Sequence, residues 1–161
     1  MQKVISILMG SQSYLETLRE AIDLLREFKV GFEVKVLSAH RTPKELTEYV
    51  ENVSRKETKV FIAAAGMSAA LAGVVAAHTI LPVIGIPIET RNLKGLDSLL
   101  STVQMPPGVP VACMAIGKAG AKNAAIFALE VLSLADKKIA SRLTQYKKEM
   151  RLKIKKIKIK I

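Results

Sequence analysis

Short apolar runs alternate along this chain with segments in which apolar and polar residues are mixed. The runs are rich in Ile, Val, Leu and Ala, a composition typical of strands buried on both faces of a sheet. Five such runs occur, and they predict strands at residues 3–9, 32–37, 59–64, 82–86 and 109–115.

The mixed segments between these runs have the spacing of amphipathic helices. The first predicted helix covers residues 14–28, and the others cover residues 43–55, 68–79, 96–103 and 119–134. Apolar residues in the first helix recur at intervals of three and four, which places them on one face: Leu15, Leu18, Ile22, Leu25 and Phe28. Alternating strands and helices predict an α/β fold, a flavodoxin-like three-layer sandwich around a five-stranded parallel sheet.

The composition indicates a folded domain and argues against a surface that binds single-stranded nucleic acid by stacking its bases. Half of the 161 residues are hydrophobic, which is too many for a disordered chain. Aromatic residues make up only 4% and Trp is absent, so the chain has few rings on which unpaired bases could stack. Nucleic acid is therefore not expected as a partner.

The positive charge is concentrated in the C-terminal arm, residues 136–161. The formal net charge is +11, and residues 142–161 alone hold nine Lys or Arg and one Glu, a net charge of +8. Apolar residues of the arm have both helical and strand spacing, so its conformation stays open: Met150, Ile154, Ile157, Ile159 and Ile161. A contact with a polyanion is one interpretation. We favour an amphipathic arm that packs on a neighbouring subunit, because clustered lysines are usually solvated and no aromatic residue lies among them.

Several features indicate a cytoplasmic protein. The single cysteine, Cys113, lies in an apolar run, so we expect a small buried side chain and no disulfide framework. Residues 60–88 carry no Lys, Arg, Asp or Glu, but glycines and prolines interrupt them, so they predict buried strands and a helix instead of a membrane span. No signal-peptide pattern precedes the first predicted strand.

Residues 38–43 (SAHRTP) carry the most informative side chains. They follow the second predicted strand, and ligands of open α/β sheets bind at the carboxyl ends of the strands. His40 can move a proton near neutral pH, and Arg41 can grip a phosphate or carboxylate. The segment predicts an anion site with a proton-transfer group.

A second turn of small residues follows the first predicted strand. Residues 9–13 (MGSQS) contain Gly10, which lets a ligand approach the backbone, and the hydroxyls of Ser11 and Ser13. The N–H groups at the start of the next helix favour an anion at the same place. Two such turns on consecutive strand–helix units predict one composite site.

These segments resemble the aminoimidazole ribonucleotide carboxylase/mutase family of purine biosynthesis, known as PurE. The resemblance extends over residues 4–134 and includes four motifs in the family's order: residues 9–13, 38–43, 95–112 and 115–125. The last two especially resemble class I of the family, the N5-carboxyaminoimidazole ribonucleotide mutases.

The resemblance implies a nucleotide-binding catalytic domain, here residues 1–135, with a flavodoxin-like fold. It also implies a homo-octamer with active sites at subunit contacts, a small ribonucleotide as substrate, and no metal or organic cofactor. Class I enzymes move a carboxylate from the exocyclic nitrogen to ring carbon C4. The expected route releases carbon dioxide inside a closed pocket and recaptures it at C4.

The resemblance also implies roles for single residues. His40 would transfer the proton, while Arg41 and Ser11 would hold the ribose phosphate. Ser13 and Ser38 would complete a polar wall. Residues 66–73 would enclose the base and exclude water, with three substrate-binding positions: Gly66, Ser68 and Leu71.

Two positions depart from the family's usual pattern. Tyr14 stands where an Asp usually binds the ribose hydroxyls, so Tyr14 becomes the candidate for that contact. Ala70 replaces a class I histidine, and Ser68, Leu71 and Gly73 match the class II loop. Two alternatives therefore stay open: a class II-like carboxylase that uses free carbon dioxide, and a catalytically silent homologue that binds ribonucleotides.

The other polar residues in the matched region predict structural roles. His78 follows an apolar helix without a motif, and we expect a packed, hydrogen-bonded histidine at the helix end. We expect Asp97 to fix a loop, and Lys118 to be an exposed lysine at a helix start. No metal site is predicted, because neither histidine has a ligand-spaced partner.

Overall fold

Five parallel strands form one sheet in the computed structural model, which describes residues 2–159, and their order is β2-β1-β3-β4-β5. The strands are β1 Ile5–Met9, β2 Phe32–Val36, β3 Val60–Ala65, β4 Val83–Pro87 and β5 Ala112–Cys113. The helices are α1 Leu15–Glu27, α2 Pro43–Ser54, α3 Leu71–Ala77, α4 Leu96–Val103, α5 Gly117–Ser133 and α6 Lys137–Lys155, and a 3₁₀ turn covers Gln12–Tyr14. The five-stranded parallel sheet and the flavodoxin-like fold are confirmed.

Most predicted boundaries lie within two residues of the observed ones, and two elements are shorter than predicted. The fifth strand spans two residues, Ala112–Cys113, instead of 109–115. Pro110 has no N–H to donate to a ladder, which explains why pairing begins after it. Helix α3 begins at Leu71 instead of residue 68, since residues 68–70 form a tight turn in which the Ala70 N–H donates to the Ser68 carbonyl at 2.8 Å.

The chain runs from β1 to β2 in one direction across the sheet, and then crosses back past β1 to β3, β4 and β5 in the other direction. The order of the strands therefore reverses between β1 and β3. Strand β1 pairs with β2 on one side and with β3 on the other, so that Ile7 lies opposite both Val34 and Ile62. Right-handed crossovers then place α1 on one face of the sheet and α2, α3 and α4 on the other. The carboxyl ends of β1 and β3 therefore border the crevice in which ligands of such sheets bind.

Apolar packing on both faces explains the uniform apolar composition of the central strands. Every residue of β1, β3 and β4 is buried. The predicted apolar face of α1 is confirmed, since Leu18, Ile22, Leu25 and Phe28 are buried and Leu15 is half-buried. Side chains of α2 and α3 pack with the sheet in one cluster that includes Leu46, Val50, Leu71, Val75 and Phe61.

The contacts divide the chain into two compact units, one that ends at Ala128 and one that begins at Leu129. This division lies inside α5. The sequence instead predicts a catalytic domain of residues 1–135 and an arm of residues 136–161, and this domain boundary stays a prediction.

The second unit contains the lysine-rich arm, and its described part is mainly helical. Asp136 caps α6, because its Oδ1 accepts hydrogen bonds from the backbone N–H groups of Lys138 (2.8 Å) and Ile139 (3.2 Å). The sequence left open whether the arm is a helix or a strand, and the structure shows a helix that ends at Lys155. Residues 160–161, which complete the predicted apolar pattern, lie outside the described residues. In residues 2–159, no helix is both long and apolar enough to cross a membrane.

Candidate functional site

A cavity of about 530 Å³ lies where the carboxyl ends of β1, β2 and β3 meet. Three loops form its walls, one after each of these strands. The lining residues are Gly10, Ser11, Tyr14, Ser38, Ala39, His40, Arg41, Ala65, Gly66, Met67, Ser68, Ala70 and Leu71.

The first wall is the turn that follows β1. The Gly10 N–H donates to the carbonyl of Ala64 at 3.1 Å, which holds this turn against β3. Ser11 caps the 3₁₀ turn: its Oγ accepts from the Ser13 N–H at 3.4 Å and lies 2.8 Å from the Ser13 Oγ. The Ser13 hydroxyl is thereby bound to Ser11, and Ser13 is absent from the cavity lining.

The second wall is a closed turn between β2 and α2. The Thr42 hydroxyl accepts from the Ser38 N–H at 2.9 Å and donates to the Ser38 carbonyl at 3.1 Å, and the Thr42 N–H donates to the same carbonyl at 2.9 Å. These three bonds fix the ends of the turn. His40 and Arg41 lie at its tip, and both are exposed toward solvent.

Arg41 connects the first two walls. Its Nη2 donates to the Gly10 carbonyl at 2.6 Å, and its backbone N–H donates to the Ser38 Oγ at 3.2 Å. No Asp, Glu or Lys is among the residues that line the cavity, so Arg41 supplies its fixed positive charge. A cavity with this charge favours an anionic ligand.

The third wall is the loop between β3 and α3. Met67 lines the cavity with a left-handed backbone (φ 59°), and its side chain is largely exposed to solvent. The Ala70 N–H donates to the Ser68 carbonyl at 2.8 Å, which closes a tight turn, and Leu71 is buried beneath it. Met67 was not among the residues predicted to bind the substrate. Its position between Gly66 and Ser68, in the loop predicted to enclose the base, could have indicated that it lines the cavity.

Tyr14 spans the ends of β1 and β3. A Cβ atom added to Gly66 would lie 3.1 Å from the Tyr14 Oη, and one added to Gly10 would lie 3.8 Å from the Tyr14 Cε2. The phenol therefore rests on both glycines, with its hydroxyl beside the β3 end of the cavity. Gly66 needs no unusual backbone here; its small size is what admits the tyrosine.

Eight of the nine residues predicted to form the site line this one cavity: Ser11, Tyr14, Ser38, His40, Arg41, Gly66, Ser68 and Leu71. The ninth, Ser13, contacts the site only through Ser11. The geometry brings the predicted residues together, while their roles in a reaction stay predictions.

The other polar residues singled out in the sequence lie elsewhere. His78 ends α3 and its Nδ1 lies 3.1 Å from the Glu51 Oε1, so the hydrogen bond is confirmed, although the ring is more exposed than expected. Asp97 fixes a loop as predicted, since it accepts the Thr90 hydroxyl at 2.8 Å. Lys118 is exposed and pairs with Glu16 at 3.2 Å.

Cys113 is half-buried instead of fully buried, and burial raises the pKa of its thiol. Within residues 2–159, no three His, Cys, Asp or Glu side chains are grouped in a way that could hold a metal ion.

Comparison with known proteins identifies the family. A family model described as AIR carboxylase matches residues 4–153. The chain belongs to the AIR carboxylase family. The match includes all three cavity walls as well as α4 and α5, so it covers the whole candidate site.

Similar proteins of this family are known from archaea and bacteria. The chain is 50% identical over 147 residues to the N5-carboxyaminoimidazole ribonucleotide mutase of Pyrococcus abyssi (strain GE5 / Orsay), an alignment that covers 91% of this chain and 83% of the relative. It is 51% identical over 145 residues to the protein of the same name from Bacillus subtilis (strain 168), covering 90% of each. Its structure is similar to that of Treponema denticola PurE, with a TM-score of 0.85, 28% identity and coverage of 93% of this chain and 92% of that one.

Proposed function

We propose that this chain is an N5-carboxyaminoimidazole ribonucleotide mutase of purine biosynthesis. The main structural support is that the turns after β1 and β2 line one cavity. The hydrogen bond from Arg41 to the Gly10 carbonyl joins these two turns. Relatives at about 50% identity that bear this name support the same function.

Arg41 would bind the phosphate of the ribonucleotide. Its Nη2 is held by the Gly10 carbonyl, which orients the guanidinium, and the Ser11 and Ser38 hydroxyls lie in the same cavity. Charge-assisted hydrogen bonds from Arg to phosphate are strong and directional. No Asp or Glu is among the residues that line the cavity, so no carboxylate there would compete with the phosphate for Arg41.

His40 would move the proton that the isomerisation requires. The bond between the exocyclic nitrogen and the carboxylate breaks, a bond from that carbon to C4 forms, and the C4 proton is transferred to the nitrogen. The reaction neither consumes nor produces a net proton, so one residue that accepts and returns it is sufficient. Imidazole is suited to this task near neutral pH.

The loop between β3 and α3 would enclose the imidazole. Met67 and Leu71 add apolar surface to the cavity, which helps to exclude water and to retain released carbon dioxide. The Tyr14 hydroxyl, beside Gly66, would contact the ribose from the β1 side. Gly66 and Ser68 would present small groups to the base.

The mutase is preferred over the two alternatives left open by the sequence. Carboxylation by free carbon dioxide rests on the class II-like features of the loop at Ala70, whereas the compared relatives are named as mutases across 90% or more of this chain. A silent homologue would not require His40 at the tip of the same turn as Arg41.

The proposal includes a cytoplasmic homo-oligomer, an octamer by family resemblance. A single cysteine suits a reducing compartment. We keep α6 as an arm that packs on a neighbouring subunit, since the apolar residues Met150 and Ile154 are exposed on it. Lysines would then form its solvated side.

The test measures the product carboxylated at C4 from two substrates. Purified protein receives the N5-carboxylated ribonucleotide in one reaction, and the uncarboxylated ribonucleotide with bicarbonate in the other. We expect turnover in the first reaction only, and a loss of at least about 100-fold in kcat for His40→Asn. His78→Asn is the matched control and should leave kcat unchanged. Turnover in the second reaction only, or full activity of His40→Asn, would contradict the proposal.

A further inference from the structure

The helical conformation of the C-terminal arm aligns three cations along one side of α6. Lys148, Arg151 and Lys155 are separated by three and four positions, and all three lie within the helix. Residues at these intervals are neighbours on a helix, with about 5–6 Å between their Cβ atoms. In a strand, Lys148 and Arg151 would lie on different faces. The helix therefore defines a cationic row, which consists of these three residues.

The cations of the row are exposed and have no partner within residues 2–159. Their side chains form neither an ion pair nor a hydrogen bond in this part of the chain. Lys147, beside the row, pairs instead with Glu130 at 2.6 Å. The only carboxylate within α6 is that of Glu149, and it accepts the Gln145 amide at 2.7 Å. The row thus keeps its positive charge for an external anion.

The apolar side of α6 is separate from the row. Ile139 and Leu143 are buried, and Met150 and Ile154 continue the same side at intervals of seven and four positions. With 3.6 residues per turn, this side lies about a third of a turn from the row. A helix that lies on a bilayer has its apolar face buried among the lipids. Here the first part of that face is already buried in the protein, which disfavours a lipid surface as the partner.

The row has the dimensions of a short stretch of nucleic-acid backbone. From Lys148 to Lys155 the helix rises about 10.5 Å, at about 1.5 Å per residue. One strand of a DNA duplex carries a phosphate about every 3.4 Å of helix axis, so the row extends beside about three phosphates. Such contacts release condensed counterions and need no particular base. The low aromatic content, which argues against base stacking, does not oppose them.

The charge around the row increases this attraction. Residues 142–161 have a net charge of +8, and a block of like charges of this kind is often an arm that binds nucleic acid. The match to the AIR carboxylase family model ends at residue 153, so Lys155, Lys156 and Lys158 lie beyond it. This part of the arm is therefore not a feature that the family model describes.

We propose that the cationic row of α6 binds the phosphate backbone of double-stranded nucleic acid without regard to base sequence. The contact goes beyond the proposed function and does not depend on it, because no residue of α6 lines the cavity. Packing of Met150 and Ile154 on a neighbouring subunit would leave the row in solvent.

The experiment measures the fluorescence anisotropy of a labelled DNA duplex of about 20 base pairs, titrated with the full-length protein between about 50 and 200 mM salt. Each phosphate contact contributes about 0.9 to the slope of log Kd against log salt concentration. Lys148→Gln/Arg151→Gln/Lys155→Gln should therefore lower this slope by about 2.7. It should also raise Kd at least about 10-fold at about 50 mM salt.

A matched variant separates the row from the net charge of the protein. Lys29→Gln/Lys56→Gln/Lys59→Gln removes the same charge from exposed positions outside the arm. Salt screens charges that lie far from the contact, so Kd should stay within about threefold of the wild-type value. Circular dichroism checks that each variant keeps its helical content.

A second matched variant tests which side of α6 meets the duplex. Lys138→Gln/Lys153→Gln/Lys156→Gln removes three exposed cations of the same arm that lie outside the row. We expect this variant to weaken binding less than the row variant does, and to retain more of the dependence on salt.

Several results would overturn the inference. These are no binding at about 50 mM salt, equal losses for the row variant and either matched variant, and tighter binding to phosphatidylglycerol vesicles or to polyglutamate than to DNA. Mutase turnover is measured separately on the same preparations. Binding of DNA through the row in a protein without turnover would support the inference and refute only the proposed function.

Discussion

The guanidinium of Arg41 donates a hydrogen bond to the carbonyl of Gly10 at 2.6 Å, across 31 positions of sequence. The contact exists because β1 and β2 are neighbours in register, with Met9 opposite Val36, so the turns after them lie side by side. An arginine held in this way has lost part of its side-chain freedom before any ligand arrives. Pre-organisation of this kind improves affinity by lowering the entropic cost of binding.

Arg41→Lys should weaken substrate binding more than it slows turnover. An ammonium group cannot bond the Gly10 carbonyl and a phosphate with the geometry of a planar fork. We expect KM to rise by about 10- to 100-fold, where each tenfold step corresponds to about 1.4 kcal/mol. Steady-state kinetics measures the change, and Arg55→Lys, at the exposed end of α2, is the control. An unchanged KM would show that Arg41 does not hold the phosphate.

Gly66→Ala should displace the Tyr14 hydroxyl. The new Cβ would lie 3.1 Å from the Tyr14 Oη, and the phenol is the movable end of a side chain, so stability should change by only about 0.5 kcal/mol. We expect a several-fold rise in KM. Tyr14→Phe removes the crowded oxygen, so Gly66→Ala should have little further effect on KM in a Tyr14→Phe background. Strictly additive effects in this double-mutant cycle would argue against the contact.

Tyr49 should make the fold sensitive to alkaline pH. Its hydroxyl donates to the Glu33 Oε1 at 2.6 Å and accepts from the buried Ser6 Oγ at 2.7 Å. Burial, followed by the hydrogen bond to Glu33, raises the pKa of Tyr49 above its ordinary value. The unfolded chain loses this proton at about pH 10 while the native protein retains it, so the free energy of unfolding should fall as pH rises above about 10.

Urea unfolding between pH 7 and 11 measures this effect in wild type and Tyr49→Phe. At pH 7 the variant should be less stable by about 1–3 kcal/mol, because the buried Ser6 hydroxyl loses its partner. Above pH 10 the difference should shrink, since the variant has no phenol at this position to ionise. Lysine titration is common to both proteins and cancels in the comparison. A constant difference across this range would contradict the assignment.

Gly85→Ala should destabilise the packing of α4 on β4. Its Cβ would lie 2.4 Å from the Thr102 Cγ2, which overpacks a closed region, and we expect a loss of about 1–3 kcal/mol in chemical denaturation. Thr102→Ser removes that methyl group and keeps the hydroxyl, so it should recover part of the loss. Gly73→Ala, which meets only the flexible end of Met105, should cost less. Equal losses for the two alanine variants would exclude close packing at Gly85 as the cause.

The sequence alone predicted the elements and eight of the residues that line the cavity. Periods of apolar residues depend on local geometry, so the five strands, the apolar face of α1 and the parallel arrangement could be predicted. The turns at residues 9–13 and 38–43 could be placed at one edge, because parallel strands end at the same edge of a sheet. Family motifs then indicated a ribonucleotide mutase, which the comparisons support.

The tertiary structure decided which side chains meet, because such contacts depend on strand order, register and the depth of packing between segments far apart in sequence. Sequence patterns could not show that Ser13 binds Ser11 outside the cavity, or that Tyr14 rests on Gly66. Nor could apolar periodicity show that α4 turns Thr102 inward and Leu100 outward, since a leucine is normally expected to face the sheet. At Gly85 the helix and the strand come so close that an added Cβ atom would meet the Thr102 Cγ2, and only the folded chain defines this separation.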